Sequence, residues 1–490
     1  MNKGTFTSLA ILLFVFASFT DASKKRKSVF TQISNNVSER GASYEKLQEV
    51  INLTKHRLTG SENGKKAETF AFDTFRAFGY SDVSYAPFEV ESWSRNKVSL
   101  SIVPSNSDNF REVKVVSLAH SPKAAQVSAP IVDCFDGLAS DFEKVKGELK
   151  GKVALFNINI QSENNKGQKN LHRSEKTALA IKHGAAGVMI ANSVEGGVLL
   201  TGTASVTGSL ISIPAVCISL ESGKAIRAWI RDEHNLVAQI EMLNYNKPVR
   251  ARNIVAKHKG QGKYSKGKIV IGGHLDSWDL AQGAVDNGLG AFSVLDIARV
   301  FKDLNLKTKR PIEFVLFMGE EQGLLGSKSY IEKAEKDGSI ANVSLMMNLD
   351  MINNAHGFNA FGNEKLNKIF NSIGDEIQSI DKAYLNKNRN AAGLHSDHQA
   401  FMVKGIPVCS PVGKLSKAAL NCYHADCDSM ELIDKKELDN NVKYTAMMLY
   451  ALANSNSLPK RKTSEETRDY LIAQNLKNEL ILGEEWLWDN

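Results

Sequence analysis

Apolar residues along this 490-residue chain follow two rhythms, and the change between them divides it. From 43 to 80 the spacing is helical: Leu47, Val50, Ile51 and Leu58 share one side, and Phe70, Phe72 and Phe75 mark a second helix. Residues 97–103 and 112–118 alternate as strands do. Beyond them the elements shorten, with strands predicted at 129–133, 152–158, 187–191 and 213–218 and helices at 175–183 and 220–231. That pattern reads as a compact α/β module inserted into a host domain. The host resumes at 251–256 with a regular rhythm: strand 268–272, helix 289–304, strand 311–318, helix 325–336, strand 343–349, strand 406–410 and helix 441–453. The run Ile312, Phe314, Val315, Leu316 and Phe317 is nearly unbroken, as in a parallel strand buried on both faces. The alternation predicts an α/β fold, a doubly wound and mostly parallel sheet carrying a smaller α/β insert. The expected divisions are 1–22 a leader, 23–118 the first part of the host with a removable propeptide at its start, 119–246 the insert, 247–458 the rest of the host, and 459–490 a polar, semi-helical tail.

Charge adds one exclusion. The excess of 61 basic over 54 acidic residues is +7, and two short runs, Lys24 to Lys27 and Lys460 to Lys462, carry all of it. The body between is neutral, so no nucleic-acid partner is expected. With 42% hydrophobic residues and 10 prolines the chain is neither disordered nor collagen-like.

Residues 1–22 read as an export signal: Lys3 supplies the positive start, an uncharged run covers 9–19, and small residues follow from Ala17 to Ala22. That run is far short of the roughly 20 residues that cross a bilayer, and no other stretch approaches that length, so no membrane span is expected. Sequons at Asn36, Asn52 and Asn342 agree with the secretory pathway and are the expected glycosylation sites. Five cysteines is an odd number. Cys422 and Cys427 flank a short polar loop that a disulfide could close, whereas Cys134, Cys217 and Cys409 sit in apolar runs as small buried hydrophobes.

In open α/β sheets ligands bind beyond the carboxyl ends of the strands. Past the first host strand stand His274 and Asp276, then Asp286. The next ends in Glu320-Glu321, the one after in Asp350, and the last leads to His424. Carboxylates gathered on one rim repel each other and raise each other's pKa unless cations neutralise them. Two imidazoles with carboxylates suit zinc and exclude an all-oxygen calcium site. Two such ions need a bridging carboxylate and a shared water. Adjacent residues at a strand end point apart, so one member of the Glu320-Glu321 pair can bind metal while its neighbour handles the proton of the attacking water. Asp276, two residues past His274, is placed to hold the second nitrogen of that imidazole.

The segments 272–279 (Gly-Gly-His-Leu-Asp-Ser-Trp-Asp), 283–288 (Gly-Ala-Val-Asp-Asn-Gly), 320–323 and 348–350, with His424 and Asp428-Ser429, resemble the co-catalytic zinc aminopeptidase and carboxypeptidase family. The insert, with Gly184-Ala185-Ala186-Gly187-Val188, looks like its protease-associated domain. The resemblance implies that His274, Asp286 and Asp350 hold one zinc, that Asp286, Glu321 and His424 hold a second, and that Glu320 is the general base with Asp276 behind His274. It further implies a secreted or lysosomal homodimer that hydrolyses dipeptides or carboxy-terminal residues through a metal-bridging water. Ser396-Asp397-His398 looks more like the aminopeptidase members, which makes His398 a candidate substrate-binding residue beside His395. The alternatives are an aminopeptidase of the same family, a non-catalytic receptor-type ectodomain, and a single-zinc glutaminyl cyclase. The intact ligand set counts against the last two. A Ser or Cys nucleophile has no support, since the Gly-x-Ser-x-Gly elbow is missing.

Overall fold

A computed structural model describes residues 5–104, 110–233, 235–262, 264 and 266–489; of residues 5–22 it gives the backbone alone. Two long antiparallel strands, Val83–Pro104 and Leu236–His258, run the length of the molecule. At its carboxyl end the second pairs Ile254 with Leu316 of the host; at its amino end it pairs Ile240 with Val127 of the insert. One sheet therefore continues through both parts. On the host side the order is Gly357–Asn359, Val408–Val412, Val343–Asn348, Lys268–His274, Ile312–Phe317, then the long strand. The four middle strands are mutually parallel and the outer pairings antiparallel. On the insert side follow Ala124–Asp133, Val153–Asn157, Gly187–Ala191, Ala215–Ile218 and Val115–Ser117, parallel except at the ends.

The chain enters the host sheet at Lys268–His274, adds Ile312–Phe317 on one side, and returns to add Val343–Asn348 on the other. That reversal opens a crevice at the carboxyl end of the central strand. Side chains cover both faces. Phe292, Leu295, Ala298 and Phe301 of helix Leu289–Asp303 join the larger core, and Phe317, Ile331, Met346 and Phe401 lie in the core of the opposite face.

Three features add to the sequence-based picture. The helix beginning at Thr5 continues to Arg40, across the leader boundary expected at 22; residues 1–4 of that leader lie outside the described residues. Its Phe30, Ile33 and Val37 are buried in the main core with Leu438 and Val442, and Arg26 Nε donates to Glu376 Oε2 at 2.6 Å. The segment expected to begin with a removable propeptide thus supplies part of the host core from residue 30 on. The tail also folds, into helices Ser464–Ala473 and Lys477–Leu482, and buries Leu471, Leu476 and Leu480 against Phe401 and Val403. Finally, Asn36 is 8% exposed and its Oδ1 accepts from Arg299 Nη1 at 2.8 Å, so a glycan there would have to displace that packing. Asn52 and Asn342 are exposed. Among the described residues, no helix is long and apolar enough to cross a membrane.

Phe30→Ala should lower stability by about 3–5 kcal/mol, the cost of an emptied core aromatic site. Denaturant unfolding measures it, and an unchanged midpoint would detach this helix from the core.

Candidate active site

Three strand ends and the loop that carries His424 deliver the acids and imidazoles to one crevice. His274 ends the central strand, Glu320 and Glu321 follow Ile312–Phe317, and Asp350 follows Val343–Asn348. Gly273 and Gly290 allow the approach: a Cβ on either would stand 2.3 Å or 2.1 Å from the Leu349 carbonyl oxygen. Asp286 occupies the middle. Its Oδ1 lies 3.2 Å from His274 Nε2 and its Oδ2 lies 2.9 Å from His424 Nε2. Asp350 Oδ1 is 3.4 Å and Glu320 Oε2 3.9 Å from His274 Nε2, and Glu321 Oε2 is 3.0 Å from His424 Nε2. One carboxylate thus spans two imidazoles, with one acid of the Glu-Glu pair beside each.

The outer contacts fix these groups. His274 Nδ1 faces the Asp276 carbonyl at 3.1 Å, nearer than the Asp276 carboxylate at 3.5 Å. That carboxylate instead accepts from Thr59 Oγ1 (2.9 Å) and the Glu320 amide (3.3 Å). Ser396 Oγ donates to Asp350 Oδ2 at 2.6 Å. Asp428 accepts from the amides of Val285 (2.7 Å) and Asp286 (3.0 Å). His424, at φ 54°, is held from the insert: its Nδ1 meets the Thr201 carbonyl at 3.2 Å, and the Thr201 amide donates to the His424 carbonyl at 2.9 Å. A disulfide joins Cys422 and Cys427 around it, while Cys134, Cys217 and Cys409 are free and buried.

Two arginines that have no periodic pattern around them organise the loops. Buried Arg57 donates to the carbonyls of Leu275 (2.6 Å), Gln282 (2.7 Å) and Gly283 (2.8 Å), which pins the loop between His274 and Asp286. Arg95 forms two 2.7 Å bonds to Asp279 of that loop and donates to Thr201 Oγ1 at 2.7 Å. It ties the host loop to the strand of chain that holds His424.

Burial and like charge set the electrostatics. Burial raises the Glu320 carboxyl well above the usual range; Asp350, Glu321 and Asp397 add repulsion, against attraction from His274. Burial likewise raises Glu321. Burial disfavours the charged His274 ring, yet Glu320 and Asp350 reverse that and hold its pKa well above normal. In the same way His424 is lifted to about 9 despite its burial, by Glu321 and Asp286. Asp397, fully buried beside this group, is pushed up to about 7.

These residues floor a cavity of about 270 Å³. Host, insert and tail all wall it: His172, Arg173 and Glu175 from the insert, His395 and Gln399 from the host, Glu479 and Glu485 from the tail. His398 is turned away, its Nε2 3.0 Å from the Gly393 carbonyl and its ring 4.6 Å from that of Phe361, so His395 rather than His398 faces the cavity. Arg173 is 4% exposed and lies across Gly202, where a Cβ would come within 2.1 Å of its guanidinium. It meets the Tyr423 hydroxyl, but its Nε has no hydrogen-bond partner and no carboxylate pairs with it among the described residues.

Residues 253–449 match the model of peptidase family M28, and residues 127–226 match that of the PA domain. Carboxypeptidase Q of Bos taurus is 26% identical over 420 residues, 84% of this chain and 85% of that protein. The host domain of this chain is similar to peptidase family M28. The human carboxypeptidase Q matches to the same extent. A relative of the other kind, the probable leucine aminopeptidase 2 of Aspergillus fumigatus, is 25% identical over 86% of this chain and 84% of its own. Among solved structures, a peptidase M28 precursor from Shewanella amazonensis shares the fold at a TM-score of 0.77, with 24% identity over 90% of this chain and all of that one. An aminopeptidase from Aneurinibacillus sp. strain AM-1 follows at 0.67, with 25% identity over 89% and 98%.

Arg57→Ala would leave three buried carbonyls without their donor, each worth about 1–3 kcal/mol. The expected result is a clear fall in the urea midpoint, measured against Arg57→Lys as a partial rescue.

Proposed function

We propose that this M28 exopeptidase is a two-zinc enzyme of the secretory pathway, acting on dipeptides or short peptides and reading the free carboxylate of its substrate. The observation that carries the reading is Asp286 shared between His274 and His424, with Glu320 and Glu321 beside them. The residues fit a pair of metal ions. Glu321 Oε1 and Asp350 Oδ1 are buried without a hydrogen-bond partner, and the donors are two imidazole nitrogens and carboxylate oxygens, a set that suits zinc. His274, Asp286 and Asp350 would hold one ion and Asp286, Glu321 and His424 the other. When bound, such ions polarise a substrate carbonyl and acidify a water.

The protein's own groups do the rest. Glu320, left out of both ligand sets, takes the proton from the attacking water and returns it to the leaving amine. Its Oε2 lies 3.9 Å from His274 Nε2, beside both ligand sets and part of neither. Asp276, through its carbonyl, fixes the His274 tautomer, and Thr201 does the same for His424. Arg173 supports the carboxypeptidase side: a buried guanidinium without a counter-ion is costly until an anion meets it, and its planar fork matches a carboxylate. The Cys422–Cys427 disulfide favours an oxidising compartment, in line with a secreted or lysosomal location.

Glu320→Gln should lower kcat by about 10²–10⁴ while the metal content of the protein stays the same. Near-normal turnover in that variant would remove Glu320 from the role of base. A free dipeptide should be cleaved, and carboxy-amidation should abolish cleavage. Cleavage that survives amidation but not amino-acetylation would instead make the enzyme an aminopeptidase. Arg173→Gln should raise KM for the free dipeptide about tenfold or more with a smaller change in kcat, as loss of a charged hydrogen bond of roughly 1.5–3 kcal/mol requires.

A further inference from the structure

Three acceptors in the cavity wall take no part in the chemistry above. Glu175 comes from the insert helix Arg173–Lys182, His395 from a host loop, and Glu479 from the tail helix Lys477–Leu482. His395 Nε2 is 4.0 Å from Glu175 Oε1 and 4.0 Å from Glu479 Oε2, and one acceptor atom from each residue lies within 4.8 Å of the others. These separations are too long for hydrogen bonds between the three groups. Glu175 is 2% exposed; its Oε2 accepts from the His172 amide at 2.6 Å, whereas its Oε1 is buried with no partner. Lys169 engages Glu479 through Oε1, which leaves Oε2 for another donor. The His395 ring is held in place by stacking on His172 at 4.9 Å and by a 2.7 Å bond from its backbone amide to Gln399 Oε1.

We propose that Glu175, His395 and Glu479 form a subsite for a protonated amine of the bound peptide. Spacing and donor count both bear on the ligand. An ammonium nitrogen with acceptors at about 2.8 Å in tetrahedral directions spaces them about 4.6 Å apart. Zinc, with ligands at about 2.1 Å, would draw them to about 3.4 Å. The observed 4.0 Å contacts lie midway between these two spacings, so distance admits either and the choice rests on the donor and acceptor count. An ammonium group also has three donors for the three acceptors. The imidazole must be neutral to accept, and desolvation in the cavity wall, with Arg173 and Lys169 nearby, lowers its pKa although the side chain is 42% exposed. The amine is either the amino terminus of the peptide or a lysine side chain. Only the identity of its carrier rests on the exopeptidase reading.

The test uses the full-length, metal-loaded protein and its Glu479→Gln and Glu175→Gln variants; glutamine keeps the acceptor that caps the insert helix. Three peptides of one length are compared: lysine with an acetylated amino terminus, norleucine with a free amino terminus, and norleucine with an acetylated one. At least one amine-bearing peptide should exceed the neutral one in kcat/KM by about tenfold, and each variant should remove most of that advantage. Which peptide gains identifies the amine. Equal cleavage of all three, or an advantage that survives both substitutions, overturns the subsite. Calorimetric titration with n-butylammonium chloride gives a readout independent of turnover, with binding expected in the wild type and weakened about tenfold in Glu479→Gln. If no peptide is cleaved yet n-butylammonium binds in this pattern, the exopeptidase reading fails and the subsite stands. A third equivalent of zinc per chain that disappears in Glu479→Gln would overturn it in favour of a metal site.

Discussion

Like charge in a buried crevice is the constraint from which the rest of this molecule follows. Asp286, Glu320, Glu321 and Asp350 converge at the end of one strand, where burial alone pushes carboxylates toward protonation. Asp286 resists because two imidazoles flank it, and its pKa is held below the usual range despite its burial. Such a cluster cannot assemble by itself, and the surrounding loops are shaped by other charges. Arg57 draws three carbonyls around its guanidinium, and Asp428 gathers the two amides that precede and include Asp286. Loop geometry here is dictated by hydrogen bonds to buried charge rather than by apolar packing.

Much of the fold was legible because the host strands are buried on both faces. Ile312 to Phe317 and Leu345 to Met347 could hardly be anything but inner strands, and an acid directly after such a run stands out against it. That is why His274, Asp286, the Glu-Glu pair and Asp350 could be picked out, and the structure gathers them within a few ångströms. Other parts left no such mark. The strand Leu236–His258 crosses Asn244, Asn246 and Pro248, residue types depleted in strands, yet pairing with Val83–Pro104 continues through them. Arg57, Thr59 and Arg95 have partners more than a hundred residues away, with no periodicity to point to them. The helix ending at Arg40 hid behind an apolar leader and a basic run. By sequence His398 is the candidate, but its ring bonds the Gly393 carbonyl and packs on Phe361, while His395, at φ 68°, lines the cavity.

The insert is also more than an appendage. Thr201 closes a two-bond clamp on His424, Leu200 pairs with Ala425, and Arg95 couples Thr201 to the loop that carries Asp279. The tail approaches from the other side, where Glu485 meets Lys328 at 2.7 Å and Gln399 at 2.6 Å. Residues separated by hundreds of positions thus enclose a single space, and each of the three parts contributes polar groups that the other two lack.

The continuous strand Leu236–His258 has a mechanical consequence. A module joined to its host by flexible linkers can swing, and it can be exchanged between proteins as a cassette. Here the link is a beam, hydrogen-bonded along nearly all of its length to Val83–Pro104 and anchored at one end in the host sheet and at the other in the insert sheet. A tilt of the insert must bend that beam or shear its ladder, and it would carry Thr201, and with it the ring of His424, along the same arc. Grafting a foreign module onto this host would therefore require matching its sheet register, because an error of one residue at the seam would be felt at the imidazole.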